Sequence, residues 1–248
     1  DALVHAIEAA TNRNAGPESD VAAFAAIRFV ATWLPIAVHE PSNLEARGKM
    51  LDAAALGGLA IHKAGTALAH NIGHALGSLA PVPHGLAVTL AMAATAEWVV
   101  EGNRPAFARV AEAMGLGSDP DAVPDGVRRL ATGIGLDLDA SAAASGLTAE
   151  ALAASMAAPE NAAMRKSTRR PVRAAVLHVY HAANVAQGDG GDRTRGGGTE
   201  HSRQSVVWVL DGGGEGLRFV RLIRGGPIRA TAHLSEVPAR GATADVVD

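Results

Sequence analysis

The sequence predicts an all-α protein, a helical bundle, as far as residue 187. Hydrophobic residues make up 48% of the 248 and aromatic residues only 3%. A core of that composition is built from Ala, Leu and Val, side chains small enough to let helices approach closely. Apolar residues recur at helical spacing, and caps and breakers divide the chain into segments of helical length.

Residues 1–12 read as the first helix, with Leu3, Ile7 and Ala10 on one stripe. NAGPESD (14–20) is a loop in which Ser19 or Asp20 can cap a second helix, VAAFAAIRFVATWL, stopped at Pro35. SNLE (42–45) has the pattern of a capping box, Ser42 accepting from the Glu45 amide while Glu45 reaches back. A long helical stretch follows to residue 78, with a break expected at Gly57-Gly58. APVP (80–83) interrupts it, and a buried helix starts near His84. Its apolar run, GLAVTLAMAATAEWVV (85–100), is shorter than the ~20 residues a bilayer span needs and carries Glu97. Further helices are expected at 105–114, 119–133 and 148–157, with Asn103, Ser118 and Thr148 as caps.

Beyond residue 187 the composition changes. GDGGDRTRGGGTEHSR (188–203) is too polar and too rich in Gly to pack, and reads as a flexible linker. SVVWVL, DGGGEG and LRFVRLI then read as strand, turn and strand, a small β-hairpin of little stability by itself. The expected division is a helical domain over 1–187, a linker over 188–204 and an irregular tail over 205–248. The formal charge of −3 gives no electrostatic case for nucleic acid or an anionic membrane. The absence of cysteine excludes disulfides and thiolate metal sites, and suits a reducing cytoplasm. Asp1 opens directly on a helix, so the chain is expected to be a fragment lacking an N-terminal portion.

Chemistry concentrates in the histidines. Asp1 and His5 are four residues apart, as are His70 and His74, so each pair shares one helix face and could point two donors at one cation. His84 lies past the APVP break, where a turn can fold it back towards the same point. A set of Asp and His donors suits Zn²⁺ or Fe²⁺ better than Ca²⁺ or Mg²⁺, which prefer oxygen cages. A zinc protease would carry Glu directly after the first His to activate water; Asn71 stands there, which disfavours peptide hydrolysis. Spacing alone leaves open which of the three clustered histidines would hold a metal.

DALVHAIEA together with AHNIGHALGSLAPVPHG resembles the metal-binding half of the iron-containing (group III) alcohol dehydrogenases. Members of that family show an Asp-Ala-Leu-x-His helix start, then a His-x-x-x-His-x-Leu-Gly run ending in Pro-His-Gly. The resemblance covers residues 1–172, including PENAAMRKSTRRPV (159–172). It implies a dehydroquinate synthase-like C-terminal helical half, with Asp1, His5, His70 and His84 as ligands of Fe²⁺ or Zn²⁺. It implies that His74 lies by the nicotinamide and substrate and handles a proton, a contribution of ~10²-fold to rate. The implied function is an NAD(P)-linked alcohol dehydrogenase or aldehyde reductase, cytoplasmic, acting on a small alcohol or aldehyde and dimeric or larger. The metal would act as a Lewis acid on the substrate oxygen, and NAD or NADP would carry the hydride.

The cofactor-binding residues are not among these. No Gly-rich loop following a strand occurs in residues 1–187, so the family's N-terminal nucleotide-binding domain is expected outside this chain. The chain alone is then expected to be inactive. Its α-ammonium, with an ordinary pKa of about 8, would also repel a dication held at Asp1. After RRPV the family usually continues with an acidic helix; RAAVLHVYHAAN stands here instead, and the Arg, Gly and Ala that follow are what a shifted frame of a GC-rich gene would encode. Two further readings stand beside the first: a polyol or hydroxy-acid oxidoreductase of the same superfamily, and a non-catalytic metal-binding dimerisation module.

Overall fold

A computed structural model describes residues 1–138, 149–167, 174–178, 206–213, 216–223 and 237–238. The chain divides into two compact units, Asp1–Val172 and Arg173–Asp248.

The first unit is a helical bundle. Its helices are α1 (Ala2–Thr11), α2 (Pro17–His39), α3 (Leu44–Ala64), α4 (Leu68–Leu79), α5 (His84–Val100), α6 (Arg104–Ala113), α7 (Ala122–Gly133), α8 (Ala149–Ala157) and α9 (Ala162–Ser167), with a 3-10 turn at Pro159–Asn161. α1, α2 and α3 pack on one another, and α4 packs on α5 and α8. Small side chains make the first contact possible: Ala6 and Ala9, Ala23 and Ala26, Ala53 and Ala60 are all fully buried. Ile7, Ile27, Leu68, Ile72, Val88, Met92 and Phe107 fill the rest of the core. By length and composition α2 could cross a bilayer. Here Ala23, Phe24, Ala26, Ile27 and Val30 of α2 are buried, and the helix packs on α1 and α3 as a bundle's core helix does.

Several boundaries differ from the sequence expectation, each for a physical reason. α2 begins at Pro17, where the missing N–H costs nothing, and Ser19 accepts from the Gly16 amide at 3.0 Å from inside the first turn. α2 also runs through Pro35 to His39, because packing on α3 holds the helix past the lost backbone bond. α3 is capped by Asn43 rather than Ser42; Asn43 Oδ1 accepts from the Ala46 amide at 3.0 Å. Asp121, not Ser118, precedes α7. Asn103 precedes α6 as expected, but its side chain donates to the Thr11 carbonyl instead of capping.

The expected break at Gly57-Gly58 does not occur. Gly57 is where α3 crosses α1: a Cβ there would lie 3.1 Å from the Ala2 carbonyl oxygen and 3.5 Å from His5 Cβ. That glycine serves close approach, and α3 ends instead at Gly65, whose φ of +74° suits a residue without Cβ. Thr148 and the linker expected at 188–204 lie outside the described residues.

The second unit contains strands β1 (Ala174–His178), β2 (Val206–Gly213), β3 (Gly216–Ile223) and β4 (Val237–Pro238), in one antiparallel sheet of that order. β2 and β3 form the hairpin foreseen from sequence, with Val209 opposite Val220. Pairing continues to Gly213 opposite Gly216, so Asp211–Gly213, expected in the turn, belong to the strand.

Candidate metal centre

α1 carries the first two candidate ligands and α4 and α5 the others. Asp1 sits at the N-cap of α1, yet its side chain makes no capping bond and is left for other work. One turn along, His5 Nε2 lies 3.5 Å from Asp1 Oδ1. His70 Nε2 and His84 Nε2 each lie 3.5 Å from the same oxygen. The donor atoms of Asp1, His5, His70 and His84 all fall within 4.8 Å of one another.

Two close contacts produce this convergence. α3 meets the start of α1 at Gly57, as above. α4 meets α5 at Gly73, where a Cβ would stand 2.5 Å from Val88 Cγ1 and 3.1 Å from Val88 Cα. With α5 that near, His84 on its first turn reaches the His70 face of α4.

His74 is brought to the edge and not into the group. Its ring centroid is 5.4 Å from that of His84 and 6.1 Å from that of His70, and its side chain is exposed. Of the four converging groups His70 is 2% exposed and His84 48%, so the cluster is closed on the α4 side and open on the α5 side. A cavity of about 230 Å³ borders Asp1 and Gly85, walled by apolar residues including Leu3, Val30, Leu34 and Leu130.

The electrostatics favour neutral imidazoles. Burial, reinforced by the neighbouring His70, pushes His5 down to about 4. His74 and His84 are lowered for the same two reasons in the same order.

Glu8 is a buried acid beside the cluster that sequence reasoning missed. It lies one turn beyond His5 on α1 and is only 4% exposed. Its Oε2 accepts from the Ala67 amide at 2.8 Å and pairs with His70 Nδ1 at 2.7 Å; its Oε1 accepts from the amides of Ala69 at 2.6 Å and His70 at 3.4 Å. A carboxylate carries no proton to give, so the network assigns the proton to His70 Nδ1. In the neutral ring Nε2 is then a bare lone pair, and it is buried without a hydrogen-bond partner. The available signal was an acid inside the apolar run HAIEAAT, on the same face as Asp1 and His5.

This arrangement passes a chemical test for a cation. Three imidazole nitrogens and a carboxylate oxygen facing one another repel unless something positive lies between them. Bonds of about 2.1 Å at tetrahedral angles separate ligand atoms by about 3.4 Å, against the 3.5 Å found from Asp1 to each imidazole. A set of one oxygen and three nitrogens suits Fe²⁺ or Zn²⁺.

Comparison with known proteins points the same way. The profile of the Fe-containing alcohol dehydrogenase family, C-terminal, matches residues 1–184. A 1,3-propanediol dehydrogenase of Citrobacter freundii is 40% identical over 119 residues, 48% of this chain and 31% of that protein. EutG of Escherichia coli (strain K12), named a probable alcohol dehydrogenase, is 32% identical over 190 residues, 74% of this chain and 46% of its own length. The crystal structure of sulfoacetaldehyde reductase from Bifidobacterium kashiwanohense, in complex with NAD⁺, superposes with a TM-score of 0.58 at 31% identity, covering 64% of this chain and 42% of that one. The chain thus spans less than half of the length of these proteins, between 31% and 46%.

Proposed function

Since the chain belongs to the Fe-containing alcohol dehydrogenase family, matching its C-terminal domain, we propose that it is the metal-holding helical part of an NAD(P)-linked alcohol dehydrogenase or aldehyde reductase. The observation that supports this most strongly is the convergence of Asp1, His5, His70 and His84 on one point. These four residues would hold a divalent metal, Fe²⁺ or Zn²⁺, and the metal would supply Lewis-acid polarisation of the substrate oxygen. His84, half exposed, borders the open side of the cluster, from which a small alcohol or aldehyde would enter. His74 stands beside that opening with a lowered proton affinity, suited to pass a proton between the substrate hydroxyl and water. The hydride belongs to NAD or NADP, which bound to the sulfoacetaldehyde reductase as NAD⁺. Its binding groups would come from sequence outside this chain.

Two measurements test the reading. Titration of the metal-free chain with Zn²⁺ or, anaerobically, Fe²⁺ is expected to show one site, lost in a His5→Ala, His84→Ala double variant. A longer protein carrying this chain is expected to reduce NAD⁺ or NADP⁺ when given a small alcohol. Tight metal binding without any alcohol-dependent reduction would favour the non-catalytic module, and no metal binding would remove the proposal.

A further inference from the structure

Asp1, His5 and Glu8 occupy positions i, i+4 and i+7 of one helix face. Two of them are candidate ligands; the third bonds the far nitrogen of a candidate ligand, His70, and holds the helix that carries it. The four acceptor positions of the Glu8 carboxylate are all taken. Three go to the first amides of α4, at Ala67, Ala69 and His70, and one to His70 Nδ1. α1 grips the other side of the same loop: Asn12 Nδ2 donates to the carbonyls of Ala64 at 3.1 Å and Gly65 at 2.9 Å, and Asn14 Nδ2 to that of Ala64 at 3.0 Å. The end of α3 and the start of α4 are therefore both satisfied by side chains from α1 and its loop.

We propose that Glu8 is a positioning residue for the metal centre, setting the tautomer of His70 so that Nε2 faces Asp1, His5 and His84 as a bare lone pair, and fixing α4 at the height where that lone pair meets theirs. This rests on the reading of the four residues as metal ligands. The physical reason is that an imidazole has one proton to place. With Nδ1–H committed to Glu8, Nε2 has only its lone pair, and a carboxylate on the far nitrogen raises the basicity of the near one.

Glu8→Gln separates this role from simple helix capping. The amide nitrogen must replace one of the two oxygens. In place of Oε1 it would confront the Ala69 and His70 backbone amides, donors that cannot change. In place of Oε2 it would confront one backbone amide, that of Ala67, and His70 Nδ1, which can change. The second arrangement orphans fewer donors, and in it His70 accepts at Nδ1 and moves its proton to Nε2, the nitrogen the metal needs.

The test uses the whole chain, with Co²⁺ as the probe for its absorption spectrum and nitrogen NMR of the imidazoles in the metal-free protein. The unmodified chain is expected to show His70 protonated at Nδ1. Glu8→Gln is expected to show it protonated at Nε2, with Co²⁺ affinity lower by about 10- to 100-fold. Glu8→Asp keeps a carboxylate and is expected to keep the Nδ1 proton and lose less affinity. A capping role alone would lower the melting temperature of Glu8→Gln and leave both the tautomer and the affinity in place. Protonation at Nε2 in the unmodified chain overturns the proposal without any variant, as does Glu8→Asp with the proton at Nε2, so it stays testable if Glu8→Gln fails to fold. Co²⁺ binding that Glu8→Gln leaves within about threefold also overturns it, and does so while the metal reading survives. Failure of the unmodified chain to bind Co²⁺ at all removes the metal reading itself, and this inference with it.

Discussion

The four converging groups are not equivalent, and the differences predict separate outcomes. His84 is half exposed and its removal leaves no buried charge behind, so His84→Ala should fold normally and lose more than about 100-fold in metal affinity. His74 stands outside the group of donors, so His74→Ala should leave metal affinity unchanged while lowering turnover of the longer protein by ~10²-fold. Isothermal titration and steady-state kinetics distinguish the two. His5 adds a pH dependence to the metal-free chain. Its folded-state pKa of about 4 lies below the ordinary 6.5, so between those values the unfolded chain binds the extra proton. Stability is therefore complete above about pH 6.5 and falls as pH drops towards 4, by at most about 3 kcal/mol from this ring. Denaturant unfolding in the presence of a chelator checks the sign: greater stability near pH 4 than near pH 7 would contradict it.

At the level of elements, the site depends on how closely helices approach. The Gly73 contact with Val88 involves the Val88 backbone as well as its side chain, so rotation of Val88 cannot make room for a methyl group. Gly73→Ala should destabilise the fold by about 1–3 kcal/mol despite the better helix propensity of Ala. It should also weaken metal binding, since His84 lies four residues before Val88 and moves with α5. Asn43→Ala removes the cap of α3, far from the cluster, and should cost about 1 kcal/mol with metal affinity unchanged. Thermal melts with metal titrations separate a change in helix spacing from a change in helix stability. The element boundaries teach a related lesson. Gly57 and Pro35 look like breakers because isolated propensity says so, yet both lie inside helices, since contact with α1 and α3 outweighs the local preference. The cap of α3 shifted by one residue because Ser42 and Asn43 are both competent, and only the path of the incoming chain chooses between them.

On the scale of the molecule, all four candidate ligands, His74 and Glu8 belong to the first of the two units. The end of that unit also bears on the site. Ser167 donates through Oγ to the Thr66 carbonyl, in the loop that leads into α4, and its own carbonyl accepts from the Arg13 amide at 2.7 Å. A chain ending at residue 172 is therefore expected to keep its melting temperature and metal affinity, whereas one ending at residue 161 loses α9 and both should fall. Calorimetry and Co²⁺ titration of the two truncations provide the comparison.

Residue types and their spacing were enough to read the helical class and the hairpin at β2–β3, because helix period and turn chemistry are local patterns; the family came from the resemblance carried by DALVHAIEA and AHNIGHALGSLAPVPHG together. The same patterns brought Asp1, His5, His70 and His84 forward as one set only through resemblance; spacing could not choose among His70, His74 and His84, which lie within fifteen positions. Tertiary structure brings His70 and His84, and not His74, together with Asp1 and His5, through the near contact at Gly73 that sets His84 beside His70 and leaves His74 at the rim. It also brought out Glu8. A carboxylate's partners 59 to 62 residues away leave no periodic trace, and hydrogen bonds between distant segments are decided only when the helices carrying them are packed.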